Sequence, residues 1–366
     1  MLRGAATGPD GGGTARCRPR RHEASPLEPV AGPMPGCDTV LRMTGTSTPS
    51  TPAMIDAVID WYRSSARVLP WREPEASAWG ILVSEVMLQQ TPVVRVLPRW
   101  QEWMRRWPAP VDLADAPTAE VLRVWDRLGY PRRALRLQDC ARQIVRAHGG
   151  EVPRGEQALR ALPGIGEYTA AAVTAFAHHE RAVVVDTNIR RVLARAVRGR
   201  ALPDRSYSAA ERVLATSVLP SERGRSVAWN QAVMELGALV CTARSPRCEQ
   251  CPLQALGCAW VAAGRPAPEE DTRRRQAFEG TDCQLRGRIM ALLREHGETS
   301  PAALAALDPE DPVRVERCIR SLLADGLAVR AGEEHASGAG AGGVGTSVAR
   351  EAGADGAAAP DGLRLP

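Results

Sequence analysis

The sequence predicts an all-α protein. Between residues 54 and 258 apolar residues recur at helical spacing, and proline or glycine marks the turns between successive segments. A single run of strongly β-branched character, at residues 182–185, is too short to seed a sheet. We therefore expect a core built from many short helices.

The helical segments can be placed in order along the chain. The first apolar stripe runs from 54 to 68 and follows Thr51 and Pro52, which suit a helix start. Residues 81–88 are apolar on almost every side except at Glu85. Further helices are expected at 92–105, 118–127, 134–147, 156–161, 169–177, 188–197, 208–218 and 227–240.

Composition divides off three segments without regular structure. Residues 1–52 are rich in Gly, Pro, Ser, Thr and Arg, contain too little apolar surface to order themselves and lack the apolar stretch of a secretory signal. A linker is expected at 262–280, and a Gly/Ala-rich disordered tail at 331–366.

A small unit at 281–330 lies between this linker and the tail. Its three short helices are expected at 283–294, 301–307 and 313–325, and a candidate strand follows at 326–330. This order resembles a winged-helix unit. Residues 362–366 would then be the returning strand, and the Gly/Ala-rich stretch before them would be an enlarged wing loop.

Charge and cysteine content restrict the class of protein. The chain has 47 basic and 42 acidic residues, a net charge of +5, and every basic residue is arginine. Arginine suits phosphate, although a GC-rich genome is the simpler explanation of its abundance. The sequence contains no apolar run of about 18 residues, so no membrane span is expected. The nine cysteines are best explained by a reducing cytoplasmic compartment.

A glycine-containing turn is the first candidate functional motif. Residues 162–170 read LPGIGEYTA, with two glycines around one isoleucine ahead of a helix. Glycine permits close backbone approach, and the free N–H groups at the start of the next helix can bind a phosphate oxygen. Gly164, Ile165 and Gly166 are therefore candidate phosphate contacts, although a plain helix–helix turn explains the same residues.

Two carboxyl groups are expected to have contrasting pKa values. Glu85 has apolar neighbours, so its pKa should be raised enough for a general acid. Asp186 precedes a helix, whose N-terminus favours the anion, so its pKa should be low. A neutral and an ionised carboxyl together suit the cleavage of a glycosidic bond. The alternatives are a solvent-facing glutamate and an aspartate that only caps its helix.

Four cysteines are spaced as a metal site, Cys241-x6-Cys248-x2-Cys251-x6-Cys258. In a reducing compartment such a set indicates a metal rather than disulfides. Spacing alone slightly favours zinc, because Cys-x2-Cys is its common half-site. An iron–sulfur cluster is the alternative.

Together these motifs resemble the helix-hairpin-helix base-excision DNA glycosylases, and most of all the MutY family in its short, actinobacterial-like form without a NUDIX-like domain. The resemblance extends from about residue 69 to 258 and includes LPWR at 69–72, SEVMLQQT at 84–91 and LGY at 128–130. It implies two helical domains around a DNA cleft. One is a six-helix domain at 77–186 containing the hairpin, and the other joins 53–76 to 187–261.

The resemblance implies one [4Fe–4S] cluster on the four cysteines, which reverses the preference for zinc. The family has five residues in the last gap, where this chain has six. The implied role of the cluster is to brace a loop that presents Arg244 and Arg247 to phosphate.

The resemblance also implies roles for individual residues. Glu85 would protonate adenine, Asp186 would stabilise the sugar cation, and Tyr168 and Asn188 would support them. The flipped adenine would be surrounded by Trp71, Arg72, Leu88, Val93 and Gln231. The opposite strand would be contacted by Gln90, Thr91, Leu128 and Tyr130. Trp71 and Leu88 are equally well explained as core residues.

The implied function is removal of adenine opposite 8-oxoguanine or guanine in double-stranded DNA by a monomeric enzyme. A lysine in place of Tyr168 would form a Schiff base with the sugar, and the chain contains no lysine, so a monofunctional enzyme is expected. One alternative is an endonuclease III-like glycosylase for oxidised pyrimidines, which needs that lysine. Another is a non-catalytic iron–sulfur DNA-binding regulator, which leaves Glu85 and Asp186 without a purpose.

Overall fold

A computed structural model describes residues 51–268, 278–332 and 362–366, and confirms the predicted all-α class. The first eight helices are α1 (Thr51–Ser65), α2 (Ala78–Met87), α3 (Val93–Arg106), α4 (Pro110–Asp115), α5 (Thr118–Trp125), α6 (Arg132–His148), α7 (Glu156–Arg160) and α8 (Glu167–Phe176). The next four are α9 (Thr187–Ala196), α10 (Ala209–Ser217), α11 (Arg223–Leu239) and α12 (Ala259–Ala262). Short 3₁₀ turns occur at Pro70–Arg72, Asp126–Leu128 and Cys248–Gln250.

Side-chain caps explain where several helices begin. Ser77 accepts a hydrogen bond from the Gly80 amide at the start of α2, and Ser208 with Glu211 forms a capping box at the start of α10. The predicted first helix ends earlier than expected, at Ser65. Helix α4 was not predicted, because the prolines at positions 108 and 110 gave this stretch the character of a turn.

Buried apolar side chains form two clusters. The first cluster joins α2–α7 and includes Leu82, Trp103, Trp125 and Ile144. The second cluster joins α1 with α9–α12 and includes Ile59, Leu193, Trp229 and Leu236. Helix α8 lies between them, because Ala170 and Val173 belong to the first cluster and Ala171, Ala172 and Ala175 to the second. These clusters support the predicted division into two helical domains, whose boundaries stay a prediction.

The C-terminal unit contains three helices and three short strands. They are α13 (Asp282–His296), β1 (Glu298–Thr299), α14 (Pro301–Ala305), α15 (Pro312–Ala324), β2 (Val329–Arg330) and β3 (Leu363–Arg364). The strands are antiparallel in the order β1–β3–β2, with Thr299 opposite Leu363 and Val329 opposite Arg364. The predicted tail at 331–366 is therefore wrong at its end, where the candidate returning strand forms. Assignment to the winged-helix class stays a prediction.

Several predictions fall on residues that the structure does not describe. The predicted N-terminal tail lies outside the described residues up to residue 50, whereas Thr51 and Pro52 belong to α1. Residues 269–277 of the predicted linker and 333–361 of the predicted tail also lie outside. Among the described residues, no helix combines the length and apolar character that a membrane crossing requires.

Candidate active site

Glu85 lies on α2, whose residues are buried from Trp79 to Met87, and is itself 5% exposed. Burial raises the pKa of Glu85 to about 7. The Tyr168 hydrogen bond and the charge of Arg72 lower this pKa, and the charge of Asp186 raises it. The raised pKa predicted from the apolar neighbours is confirmed. This carboxyl is neutral often enough near pH 7 to donate a proton.

Tyr168 is the second residue of α8, and its hydroxyl donates a hydrogen bond of 2.8 Å to Oε2 of Glu85. Burial, followed by the charges of Glu85 and Asp186, raises the pKa of Tyr168 well above its usual value. The phenol is therefore a neutral donor. The hydrogen bond fixes the orientation of the Glu85 carboxyl and connects α8 with α2.

Asp186 caps α9 and accepts hydrogen bonds on both carboxylate oxygens. The Ile189 amide donates to Oδ1 at 2.6 Å, and the Asn188 side-chain amide donates to Oδ2 at 2.7 Å. Burial raises the pKa of Asp186, and these hydrogen bonds lower it. The expected low pKa is wrong, because desolvation outweighs the helix N-terminus. With both oxygens bonded, Asp186 is still better stabilised as an anion than Glu85.

Asn188 is held by a close approach between α9 and α11. A Cβ atom at Gly237 would lie 2.6 Å from Cβ of Asn188 and 2.9 Å from its carbonyl oxygen. The Arg191 guanidinium donates to Oδ1 of Asn188 at 2.8 Å and to the Gly237 carbonyl at 2.6 Å. Sequence reasoning assigned no role to Gly237 or Arg191, because the contact between α9 and α11 exists only in the folded chain.

Arg72 is held beside the carboxylates by a buried acid on α11. Glu235 is fully buried and accepts hydrogen bonds from Arg72 at 2.8 Å and from Arg67 at 2.7 Å. Burial acts to raise the pKa of Glu235, but these hydrogen bonds outweigh it and lower the pKa to about 2. Glu235 is another residue that the sequence did not single out, because its partners lie more than a hundred residues away.

The other predicted adenine-pocket residues occupy different environments. Trp71 is buried in the first cluster, where its ring meets Trp100 edge to face at 5.5 Å, as the core interpretation expects. Leu88 and Val93 are partly buried against the same cluster. Gln231 is half-buried on α11. Of this set, Arg72 is the residue whose charge acts on Glu85.

The predicted opposite-strand residues lie on two loops that are joined to each other. Gln90 and Tyr130 are exposed and have positive φ angles of 58° and 47°. Thr91 is buried, and its hydroxyl donates to the Leu128 carbonyl at 3.1 Å. The Leu128 side chain is buried in the first cluster rather than exposed. A DNA contact by Leu128 therefore stays a prediction that its burial does not support.

Arg133 holds these two loops together. Its guanidinium donates to the carbonyls of Val86, Met87, Gln89, Leu128 and Gly129 and to the Thr91 hydroxyl, at 2.7–3.3 Å. It also stacks on Trp125 at 5.1 Å. Burial lowers the pKa of Arg133 to about 10, so the side chain stays charged at neutral pH. No sequence motif marks this residue.

The predicted hairpin joins α7 to α8. Gly164 has a φ of 77°, and a Cβ atom there would lie 2.9 Å from Cβ of Arg136. Ile165 is buried, whereas Gly164 and Gly166 are exposed. Gly166 precedes α8 without a side-chain cap, so the first N–H groups of the helix face the turn. Free N–H groups at a helix start can donate to a phosphate oxygen, so a phosphate contact by these residues stays a prediction.

The four clustered cysteines line one cavity together with Arg195 and Trp260. Among residues 51–268, 278–332 and 362–366, no His, Cys, Asp or Glu group converges closely enough to hold a single metal ion. Four thiols can hold either zinc or an iron–sulfur cluster. Burial raises the pKa of Cys251 to about 12 and also raises that of Cys258, so a bound metal would have to supply the charge that keeps them as thiolates.

Arg195 supports this site from α9. It is 3% exposed, donates to the Thr242 carbonyl at 2.7 Å and lies 3.4 Å from the Cys241 sulfur. Its guanidinium stacks on Trp260 at 4.7 Å. Arg244 and Arg247, predicted to face phosphate, are both exposed on the adjoining loop.

Two family models match the chain. Residues 83–216, which contain Glu85, Tyr168 and Asp186, match the HhH-GPD superfamily of base-excision DNA repair proteins. Residues 241–256 match the iron–sulfur binding domain of endonuclease III. The second match ends before Cys258, at the gap that is one residue longer than in the family.

Related proteins match over longer stretches. The adenine DNA glycosylase of Mycobacterium tuberculosis is 50% identical over 276 residues, which are 75% of this chain and 89% of the relative. The human adenine DNA glycosylase is 40% identical over 208 residues, 55% of this chain and 38% of the relative. Among solved structures, a thermostable thymine-DNA glycosylase is similar with a TM-score of 0.53 and 28% identity, covering 58% of this chain and 97% of its own.

The helical fold with its hairpin and buried carboxylates therefore defines a helix-hairpin-helix DNA glycosylase of base-excision repair, an enzyme that cleaves N-glycosidic bonds in DNA. Within this class, the chain belongs to the adenine DNA glycosylase family. It carries a [4Fe–4S] cluster, and the thiol-lined cavity fits that group.

Proposed function

We propose that the enzyme removes adenine opposite 8-oxoguanine or guanine in double-stranded DNA, as a cytoplasmic monomer, and leaves the strand uncut. The observation that carries this proposal is the hydrogen bond from Tyr168 to Glu85, next to Asp186 and in a chain without lysine. Glu85, whose pKa is about 7, thus lies near a second carboxyl, Asp186, that is better stabilised as an anion. The absence of lysine from the chain also excludes a Schiff base between a lysine and the sugar.

In the proposed reaction Glu85 is the general acid. It donates its proton to the imidazole nitrogen of adenine as the bond to the sugar C1′ breaks, so that the base leaves uncharged. Asp186 stabilises the positive charge that develops on the sugar. A water molecule then adds its hydroxide to C1′, and its proton restores Glu85. Tyr168 and Asn188 hold the two carboxyl groups in place.

Contacts to DNA are proposed for both strands. The flipped adenine would meet Arg72, with Trp71, Leu88, Val93 and Gln231 around it. Gln90 and Tyr130 extend from the two joined loops toward the opposite strand, with Thr91 and Leu128 behind them. Gly164, Ile165 and Gly166 would bind a backbone phosphate.

The iron–sulfur cluster would be held by Cys241, Cys248, Cys251 and Cys258. When bound, it supplies a rigid crosslink between the end of α11 and the loop that follows. This crosslink would position Arg244 and Arg247 for a phosphate. No step of base removal needs the cluster.

The decisive experiment is a glycosylase assay on four duplexes. They contain adenine opposite 8-oxoguanine, adenine opposite guanine, thymine opposite guanine, and an oxidised pyrimidine. We expect abasic sites, revealed by hot alkali, in the first two duplexes only, and no strand cleavage without alkali. Absence of adenine release, or cleavage without alkali, would contradict the proposal.

Two variants test the assignment of the acid. Glu85→Gln should lose at least about a hundredfold in single-turnover rate, the usual contribution of a general acid. Glu310→Gln, the same change at an exposed glutamate, should keep the wild-type rate. Equal rates for the two variants would rule out Glu85 as the acid.

A further inference from the structure

The loop at residues 126–131 connects α5 to α6 and carries Tyr130, which is 62% exposed. Its backbone has positive φ at Asp126 (46°), Gly129 (84°) and Tyr130 (47°). Two of these are non-glycine residues, for which such angles are unfavourable. The loop conformation therefore needs support from neighbouring structure.

The C-terminal unit contacts this loop at both of its ends. At the first end, Arg294 of α13 has its Nε atom 3.9 Å from Oδ1 of Asp126, whose other oxygen accepts a 2.7 Å hydrogen bond from Arg99. At the second end, Arg132 lies 3.2 Å from Oδ1 of Asp325, which follows α15. Arg286 of α13 holds Asp325 in turn, at 2.6 Å.

These contacts are partly protected from solvent. The side chain of Arg294 is 14% exposed and that of Asp325 is 20% exposed. The apolar residues of the unit, among them Ile289 and Leu322, belong to the same cluster as the six-helix domain. The unit is therefore packed onto the domain as well as paired with it, so its position is fixed relative to the loop.

The arginines of α15 are paired with carboxylates of the same unit. Arg314 pairs with Asp282 and Asp308, and Arg317 also pairs with Asp282. Arg320 pairs with Glu316. Because these charges are balanced within the unit, α15 lacks the basic face that phosphate binding requires. Among the described residues of the unit, support of the 126–131 loop explains the contacts better than DNA binding by α15 does.

We propose that the C-terminal unit positions the 126–131 loop so that Tyr130 engages the strand opposite the adenine. Arg294 and Asp325 are positioning residues in this arrangement and act through Asp126 and Arg132. The inference rests on the proposed function, because it assigns the loop to the opposite strand. It gives the chain a device, separate from its catalytic carboxylates, for engaging the strand opposite adenine.

The test is a double-mutant cycle between Arg294 and Tyr130 in the full-length protein with its cluster. Fluorescence anisotropy measures the affinity for a duplex that carries a stable abasic analogue opposite 8-oxoguanine. We expect Arg294→Ala to weaken binding about tenfold in the wild-type background and much less in a Tyr130→Ala background, because coupled residues are non-additive. Arg320→Ala, which removes an arginine of the same unit, should bind like the wild type.

Arg132→Ala provides a second route if Arg294→Ala fails to fold, because the Arg132 side chain is 49% exposed. It should show the same coupling to Tyr130→Ala. Equal losses with and without Tyr130 for the folded variant would overturn the proposal. Adenine excision by the wild-type protein is measured in parallel. If the wild-type protein excises adenine, equal losses overturn this inference alone and leave the proposed function intact.

Discussion

At the residue scale, the properties of Glu85 result from opposing contributions. Burial raises its pKa, while the hydrogen bond from Tyr168 and the charge of Arg72 limit the rise. Too little burial would leave a carboxylate that cannot donate a proton, and too much would leave an acid that releases it slowly. A pKa near the working pH is the compromise that general acid catalysis favours.

The first prediction concerns the pH dependence of base removal. Because Glu85 must be protonated and its pKa is about 7, the single-turnover rate should fall about tenfold per pH unit at higher pH. Below this pKa the rate should level off until Asp186 becomes protonated. The measurement is adenine release under enzyme excess between about pH 5 and pH 9. A flat profile across pH 7 would contradict the assignment.

The second prediction concerns stability. A carboxyl whose pKa is higher in the folded state binds more protons there, so its contribution to the free energy of unfolding falls as pH rises from 4.5 to about 7. Glu85→Gln removes this titration, which is worth about 3 kcal/mol at about 1.4 kcal/mol per pKa unit. Relative to the wild type, the variant should therefore be more stable at pH 8 than at pH 5. Urea unfolding at both values measures the difference, and Glu310→Gln is the control.

At the element scale, close helix packing places the second carboxylate. The short distance between α9 and α11 depends on the missing side chain at Gly237, which leaves room for Asn188. Asn188 in turn donates to Asp186. A change on α11, which does not itself carry a catalytic carboxylate, should therefore disturb the site.

The third prediction uses two glycines that lie within helices. Gly237→Ala should destabilise the protein by about 1–3 kcal/mol through overpacking, and should lower adenine release because the backbone of α9 must move. Gly287→Ala is its matched control on α13, where a Cβ atom meets nothing within 4 Å. The control should be neutral or stabilising by about 0.5–1 kcal/mol, since alanine favours helix. Thermal melting and single-turnover rates distinguish the two, and equal behaviour would contradict the packing argument.

Sequence patterns predicted elements better than they predicted contacts between elements. Helical periodicity located most helices, and the apolar neighbours of Glu85 indicated its raised pKa. Asp186 was different, because its helix start was visible in the sequence but its burial was not. Arg133 and Glu235 could not be found, since their partners are backbone carbonyls or distant arginines that only the folded chain brings together.

At the scale of the whole molecule, the iron–sulfur site belongs to the second apolar cluster. Cys248, Cys258 and Leu253 are buried there, next to the end of α11. Loss of the iron–sulfur cluster should therefore unfold more than the loop that carries the cysteines. The same helix carries Glu235 and Gly237, so the effect should extend to the carboxylates.

The fourth prediction tests this connection. Cys251→Ser should reduce the iron content and the visible charge-transfer absorption, and should lower the melting temperature, because metal binding contributes directly to folding. Gln250→Ser, at the exposed neighbouring position, should retain iron and melt like the wild type. A Cys251→Ser protein with normal iron content would contradict the ligand assignment. A Cys251→Ser protein that lacks iron but melts like the wild type would contradict a structural role for the iron–sulfur cluster.

The hydrogen bond between Tyr168 and Glu85 also crosses the boundary between the two apolar clusters. Glu85 lies on a helix of the first cluster, and the ring of Tyr168 packs against the second. Both residues lie within the predicted six-helix domain, so the orientation of the acid depends on how α8 packs against the second cluster as well as on α2. A substitution that loosens the second cluster should therefore disturb the Glu85 carboxyl without changing any residue of α2.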